Sequence, residues 1–449
     1  MSEAVLAPPR HATPHWLSHP TTLLCLVGVL IPNVISVAAL VFGIGVPPRP
    51  AMIVAYATVV IAARTLPLAV VIALYLAVVA YDAVATVALL FNLSPGDIGI
   101  ALHLVSELDL MKSPFYLALI AAMVGLTGLN LWLIVRWRAQ LARGHAAVAM
   151  AAALVFAGGD FVANTSAHYH FGTLYSAGKP MESAAESSGF RRAALDAGSR
   201  HVVLVMVEAL GRFADPRHRA LLEDALATSP VLKRYRIETG STTYYGSTTA
   251  AEMRELCGTR KPYQDLLDAK NFVCLPELMR ARGYRTVGMH NFTSKFFDRW
   301  AWYPKLGFDE SLFVENLPAG GKRCGGPFRG PCDTEMVPFI QSTLEKAKAP
   351  TFFYWMTLAT HVPVAPAEGT PRLGCEQNGG RIGQREVCHM TEMWIDLLER
   401  LAGMAAAMPD MELLIVGDHA PPLWQRAGRN LFEPGKVPWL RLVPRGSAG

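Results

Sequence analysis

His201-Val202-Val203-Leu204-Val205-Met206-Val207-Glu208 is an unbroken apolar run closed by a carboxylate. Leu413-Leu414-Ile415-Val416-Gly417-Asp418-His419 repeats the pattern and closes on a carboxylate and an imidazole. Both runs have the length and composition of strands buried on two faces, as in a parallel sheet. Open α/β sheets place their ligands just past the carboxyl ends of such strands. A third stretch, Gly246-Ser247-Thr248-Thr249-Ala250-Ala251-Glu252, supplies hydroxyls ahead of a helical pattern. Glu, Asp and His together can hold a divalent cation, and a hydroxyl beside it can become a nucleophile. Glu208, Thr248, Asp418 and His419 thus form a candidate set of three oxygens and one nitrogen, suited to one Zn²⁺ or Mn²⁺. The pattern predicts a helix over 249–256, starting directly after Thr248, whose first amides would face a phosphate.

Around these stretches, residues 200–449 alternate apolar runs with helical patterns. Strands are predicted at 201–207, 284–289, 351–358 and 412–417, and further helices at 216–228, 275–282, 334–347 and 390–407. That alternation predicts an α/β domain with a mostly parallel sheet.

The first part of the chain is different. Mean hydropathy over the 449 residues is +0.27 and only 17% are charged, which points to a membrane part joined to a soluble one. Apolar stretches at 20–46, 51–63, 66–91, 114–135 and 145–163 predict a transmembrane bundle of about five spans, the second of them short. Residues 92–112 read as an interfacial helix, and 165–199 as a linker along the membrane surface. The domain plan is therefore an anchor over 1–164, this linker, and a catalytic domain over 200–449. With five spans, Arg10, Arg64 and the Arg136–Arg143 cluster share one side, which the positive-inside rule makes cytoplasmic. The net charge of +5 is modest and comes with no Lys/Arg run of nucleic-acid type.

Cysteine usage agrees with that orientation. Of seven cysteines, Cys25 lies in an apolar span. The others fall in sequential near pairs, Cys257 with Cys274, Cys324 with Cys332 and Cys375 with Cys388. This reads as three local disulfides in an oxidising compartment, with no CxxC spacing to favour zinc.

The order Val207-Glu208-Ala209-Leu210-Gly211, Gly246-Ser247-Thr248-Thr249, Thr357-Leu358-Ala359-Thr360-His361 and Gly417-Asp418-His419-Ala420 resembles the extracytoplasmic transferases of the alkaline-phosphatase (sulfatase-like) superfamily. These include lipoteichoic acid synthases and the phosphoglycerol and phosphoethanolamine transferases. The resemblance covers residues 200 to about 440, and the five-span anchor matches that architecture. It implies that Glu208, Thr248, Asp418 and His419 bind one metal and that Thr248 becomes covalently phosphorylated. It further implies substrate-holding roles for Arg299 and His361, with His290-Asn291 near the same place. Several disulfides resemble the phosphoethanolamine transferases of Gram-negative periplasms, whereas the Thr357–His361 motif looks more like the phosphoglycerol side. A formylglycine sulfatase would need Cys-x-Pro-x-Arg, and Cys274-Leu275-Pro276-Glu277-Leu278 ends in Leu. Family members usually continue beyond the Val437–Leu442 stretch, whereas this chain stops at Gly449.

Plainer readings stand beside these. Glu208 can cap a following helix, and one of Thr248 and Thr249 can be the N-cap of the next. Arg299 can be a surface ion-pair partner, and His361 or His290 a structural imidazole. The Trp300–Tyr303 cluster reads as packing, or else as a contact with the bilayer.

The expected activity is transfer of a phosphoethanolamine or phosphoglycerol headgroup from a phospholipid donor, through Thr248, to lipid A, a periplasmic glycan or a capsule. His361 or His290 would act as acid or base. The expected place is a bacterial inner membrane, multi-pass, with the catalytic domain in the periplasm and no nucleic-acid partner. A hydrolase of the same superfamily and a non-catalytic envelope protein retaining the fold are the competing readings. A topology reporter after residue 143 should read cytoplasmic and one after residue 199 extracytoplasmic. Both on one side would overturn the five-span arrangement.

Overall fold

The computed structural model describes residues 19–90, 114–164 and 181–445, apart from residues 245, 269–271, 319, 367 and 409. The chain divides into two compact units, one holding most of the first 165 residues and the other holding residues 166–449. The interfacial helix expected at 92–112 lies outside the described residues, as does the first part of the expected linker.

Four helices of the first unit are long and apolar enough to cross a bilayer: Pro20–Val41, Leu68–Leu89, Pro114–Arg136 and Ala146–Asn164. The fifth, Pro50–Ala62, has 13 residues. At about 1.5 Å per residue it falls short of a hydrocarbon core of about 30 Å. Its Ile53, Tyr56, Ala57, Val59 and Val60 are buried, so it packs inside the bundle. Outward side chains are apolar: Val155 and Val162 are 76% and 80% exposed, as on a surface that lipid covers. Pro32 has no amide hydrogen, and the first helix is irregular over Leu26–Asn33. Asn33 Nδ2 donates to Val29 O at 2.7 Å within this stretch.

Several polar side chains of this unit meet around Arg49. Arg49 pairs with Asp82. Its Nη2 donates to Asn33 Oδ1 at 2.8 Å and its backbone N–H to Asp160 Oδ2 at 2.6 Å. Tyr56 OH adds a bond of 3.0 Å to Asp82. One arginine thereby joins four helices where hydrocarbon offers no competing partner.

The second unit is built on a seven-stranded sheet. Its strands are β1 (Val202–Val207), β2 (Tyr235–Thr243), β3 (Arg285–His290), β4 (Glu310–Leu312), β7 (Thr351–Met356), β8 (Glu412–Gly417) and β9 (Lys436–Pro444). Two short strands, β5 (Arg323–Cys324) and β6 (Gly330–Pro331), pair separately. The order across the sheet is β2-β9-β8-β1-β7-β3-β4. Neighbours from β8 to β4 are parallel, and β9 alone runs against the others. Every residue of β1, β7 and β8 is buried, which explains why they are apolar but for Thr351 and Glu412 at the starts of β7 and β8. In register, Val207 lies opposite Gly417, Met206 opposite Met356 and Met356 opposite His290. The carboxyl ends of β8, β1, β7 and β3 therefore open along one edge. The long helix Arg385–Ala407 packs with helices Pro216–Leu226 and Asp333–Glu345 beside the sheet. The α/β class with a mostly parallel sheet is as expected.

Three disulfides close as expected, Cys257–Cys274, Cys324–Cys332 and Cys375–Cys388. The linker expectation is corrected for its described part. Residues 184–187 and 190–195 are short helices, and Ala184, Ala185, Phe190 and Ala194 are buried in the core of the second unit. Small apolar residues in such short helices leave no periodicity to read. Trp302 and Tyr303 are packing residues at 0% exposure, whereas Trp300 is 60% exposed.

Arg49→Ala would leave Asp82 buried without its counter-charge. Loss of about 3–5 kcal/mol is expected. It should show as earlier melting of the detergent-solubilised chain, most of it recovered in Arg49→Gln/Asp82→Asn. Unchanged melting in the single variant would show that the pair does not hold the bundle.

Candidate active site

Glu208 follows β1 directly and Asp418-His419 follows β8 directly, so strand register alone brings them together. Their ligand atoms lie within 4.8 Å of one another, and all three residues are buried. Thr248 opens helix Thr248–Cys257. Its Oγ1 donates to Asp418 Oδ2 at 3.0 Å and lies 3.4 Å from His419 Nε2. His419 Nε2 is 3.3 Å from Asp418 Oδ2 and 3.8 Å from Glu208 Oε1. The four residues singled out in the sequence therefore meet at one point. The N-cap position is Ser247, so neither Thr248 nor Thr249 is the cap.

Each ligand is aimed by its backbone surroundings. Glu208 N–H donates to Thr357 Oγ1 at 2.9 Å, and Thr360 Oγ1 donates to Glu208 O at 2.6 Å. Ala209 then takes a left-handed turn (φ 55°), unusual for a residue with a Cβ. That turn presents its N–H to Asp418 Oδ1 at 2.8 Å, where His419 N–H also donates at 2.6 Å. With Oδ1 occupied twice, Oδ2 is the oxygen left toward Thr248. His419 Nδ1 faces the carbonyl of Ala420 at 3.0 Å, so Nδ1 carries the proton and Nε2 offers a lone pair.

Two observations fit a divalent cation here. Glu208 Oε1 is buried with no hydrogen-bond partner. Burial, then the neighbouring Asp418, pushes the Glu208 carboxyl well above the usual carboxylate range. A cation among these oxygens and Nε2 would supply the missing partner and offset the repulsion.

The remaining expected residues divide. His290 and His361 stand at the ends of β3 and β7. His290 Nδ1 faces Met356 O at 3.1 Å, and His361 Nδ1 faces Val362 O at 2.9 Å. Both rings thus carry the proton on Nδ1. Burial, and then the charge of Arg299, holds His290 well below its ordinary value. His361 lies against Phe328, ring centroids 3.8 Å apart, and burial with His419 nearby holds it down to about 3. Both imidazoles are neutral near pH 7.

Arg299 and Asn291 are placed otherwise than expected. Arg299 is 1% exposed and donates to Glu252 Oε2 through Nη2 at 2.9 Å and Nε at 3.2 Å. Its Nη1 donates to Phe296 O at 3.1 Å. Tyr303 and Tyr354 hydroxyls donate to the other Glu252 oxygen at 2.5 and 3.1 Å. The substrate-holding assignment is corrected to a buried ion pair fixing the Thr248 helix, and it is not the surface pair of the plainer reading. Asn291 is also fully buried. Its Nδ2 donates to Asp333 Oδ1 at 2.8 Å, and its Oδ1 accepts from Trp355 Nε1 at 3.0 Å. It braces the site rather than facing a substrate.

Asp333 was missed. It accepts from the amides of Leu358 at 3.0 Å and Ala359 at 2.9 Å, fixing the loop that carries Thr357, Thr360 and His361. Burial pushes its carboxyl up to about 7 against those hydrogen bonds. No local signal marks it beyond its place at the start of a helix.

Residues 200–378 match the sulfatase family model. The matched stretch runs from β1 past β7 of the sheet described above and includes Glu208, Thr248 and His361, so this part of the second unit is similar to sulfatase domains. A protein of Rhizobium meliloti assigned to cyclic beta-1,2-glucan modification is 26% identical over 286 residues, 57% of this chain. The match spans 43% of that relative's length. Among solved structures, the lipoteichoic acid synthase LtaP of Listeria monocytogenes is 14% identical. It covers 57% of this chain and 67% of its own, with a TM-score of 0.44. The Streptococcus pyogenes phosphoglycerol transferase GacH is 16% identical over 60% of this chain and 78% of its own, TM-score 0.39. The zinc complex of the periplasmic domain of Escherichia coli EptC is 14% identical over 55% and 74%, TM-score 0.35. Cys274 is bound to Cys257, so it is not available as an oxidised sulfatase nucleophile.

His361 binds no proton in the folded state above about pH 3, whereas the unfolded side chain binds one below about 6.5. Its contribution to stability is complete above 6.5 and is lost as pH falls toward 3. Urea unfolding at pH 7 and pH 4.5 should show a smaller acid-induced loss in His361→Gln than in the wild type. Equal losses would mean that His361 is not held neutral.

Proposed function

We propose that this protein is a membrane-anchored, metal-dependent transferase that moves a phospholipid headgroup, phosphoethanolamine or phosphoglycerol, through Thr248 to an envelope acceptor. The carrying observation is the Thr248 hydroxyl, 3.0 and 3.4 Å from Asp418 and His419 at the mouth of a parallel sheet. The apolar helices upstream support a donor held in the same membrane, since tethering raises its effective concentration.

Glu208, Asp418 and His419, with the Thr248 oxygen, would hold the cation. When bound, it supplies positive charge that favours an ionised Thr248 oxygen and steadies charge on the phosphoryl group. Thr248 Oγ1 attacks phosphorus, the bond from phosphorus to the diacylglycerol oxygen breaks, and the threonine proton ends on diacylglycerol. The amides at the start of helix Thr248–Cys257 face the transferred phosphoryl group. An acceptor hydroxyl then attacks, its proton passing to His361 or His290 at Nε2 and on to the released Thr248 oxygen. Both rings enter neutral and, held low by burial, carry that proton only in passing.

The similarity to a protein assigned to glucan modification supports a periplasmic glycan as acceptor, ahead of lipid A or capsule. In this reading the catalytic unit works in the periplasm of an inner-membrane protein, an oxidising compartment that its three disulfides support.

Mass spectrometry of protein exposed to donor phospholipid should find the headgroup phosphate on the Thr248 peptide. Thr248→Ala should lose it and lower transfer by about 10³-fold or more, with folding unchanged. Full transfer by that variant would remove the nucleophile.

A further inference from the structure

Helix Thr248–Cys257 carries three charged side chains closed to solvent: Glu252, Arg254 and Glu255, at 0%, 1% and 0% exposure. Glu252 is satisfied by Arg299 and two tyrosines. Arg254 and Glu255 form a different structure. Arg254 Nε donates to Glu255 Oε1 at 2.6 Å. The two Nη atoms donate to the carbonyls of Gly417 at 3.0 Å and Asp418 at 3.2 Å. These are the peptide groups where β8 ends and the ligand pair begins. Glu255 is held in turn by Ser183 Oγ at 2.8 Å and by the amides of Ala184 and Ala185 at 3.1 and 2.8 Å.

A continuous hydrogen-bonded path thus runs from residues 183–185 through Glu255 and Arg254 to the backbone of Asp418. A buried pair needed only for neutrality would not require a planar fork spread over two successive carbonyls. Nor would it recruit three donors from a segment some seventy residues earlier.

We propose that Arg254 is a positioning residue for the metal centre. Its fork sets Asp418 and His419 against Thr248, and the docking of residues 183–185 on Glu255 holds the fork in place. Thr248 and Arg254 share one helix, so the fork fixes the distance between the nucleophile and the ends of its ligands. Supporting groups of this kind govern metal affinity at second hand. The inference rests on the reading of Glu208, Thr248, Asp418 and His419 as a cation site.

The test is titration of the full chain in detergent, stripped of metal, with Zn²⁺ or Mn²⁺ against a competing chelator. Metal-free melting is measured alongside. Arg254→Lys keeps the charge beside Glu255 but cannot fork across both carbonyls. Arg254→Gln/Glu255→Gln removes both charges together and leaves neither unpaired. Each should bind the cation about 10–100-fold more weakly while melting like the wild type. Ser183→Ala, which leaves the charges paired, should show a smaller loss of the same sign. It carries the test should the other two fail to fold. Wild-type affinity in any folded variant of Arg254, or in Ser183→Ala where it stands alone, overturns the proposal. A wild-type chain that binds neither metal would instead overturn the cation site itself.

Discussion

Two carboxylates sit side by side where water does not reach, because the strands that carry them are neighbours in register. Val207 lies opposite Gly417, so Glu208 and Asp418 leave the sheet together. Their mutual repulsion inside a poorly polarisable interior is the constraint that the surrounding structure answers. Two backbone amides turn one oxygen of Asp418 away, and two threonines grip the peptide groups on either side of Glu208. What remains is one oxygen from each acid, a nitrogen lone pair and a hydroxyl, converging on a point where a cation would relieve the charge.

The helix that begins at Thr248 is the element on which this arrangement turns. A surface helix would be placed by an apolar stripe. This one is also placed by buried charges, Glu252 against Arg299 and Glu255 against Arg254. Such pairs add little net stability but are costly to break, so they define one pose sharply. For a hydroxyl held 3.0 Å from Asp418 and 3.4 Å from His419, a sharply defined pose matters more than a stable one.

Much of this was legible in the residues. β1, β7 and β8 could be read because strands covered on both faces are almost wholly apolar, and β3 from the apolar centre of its run. The ligand set could be read because it follows those runs without a gap. β2 was not, since it is half-exposed and written in Thr, Ser and Glu. Arg299 and Asn291 were misassigned for a physical reason. A charged or amide side chain is silent about its partner, and theirs lie 47 and 42 residues away. Asp333, Arg254 and Glu255 went unread because isolated charges ordinarily mark solvent. Only the assembled fold shows them enclosed.

The three cystine bridges each close a short stretch beside a helix. One ties off the far end of the Thr248 helix at Cys257, one sits immediately before Asp333, and one anchors the start of the long helix at Cys388. Loops of this size lower the freedom of the unfolded chain by about 3 kcal/mol each. Until these bridges form, those elements lack that restraint. A copy held among reducing thiols would lack all three tethers at once, so how firmly the Thr248 helix and its neighbours are held depends on the redox state of the compartment.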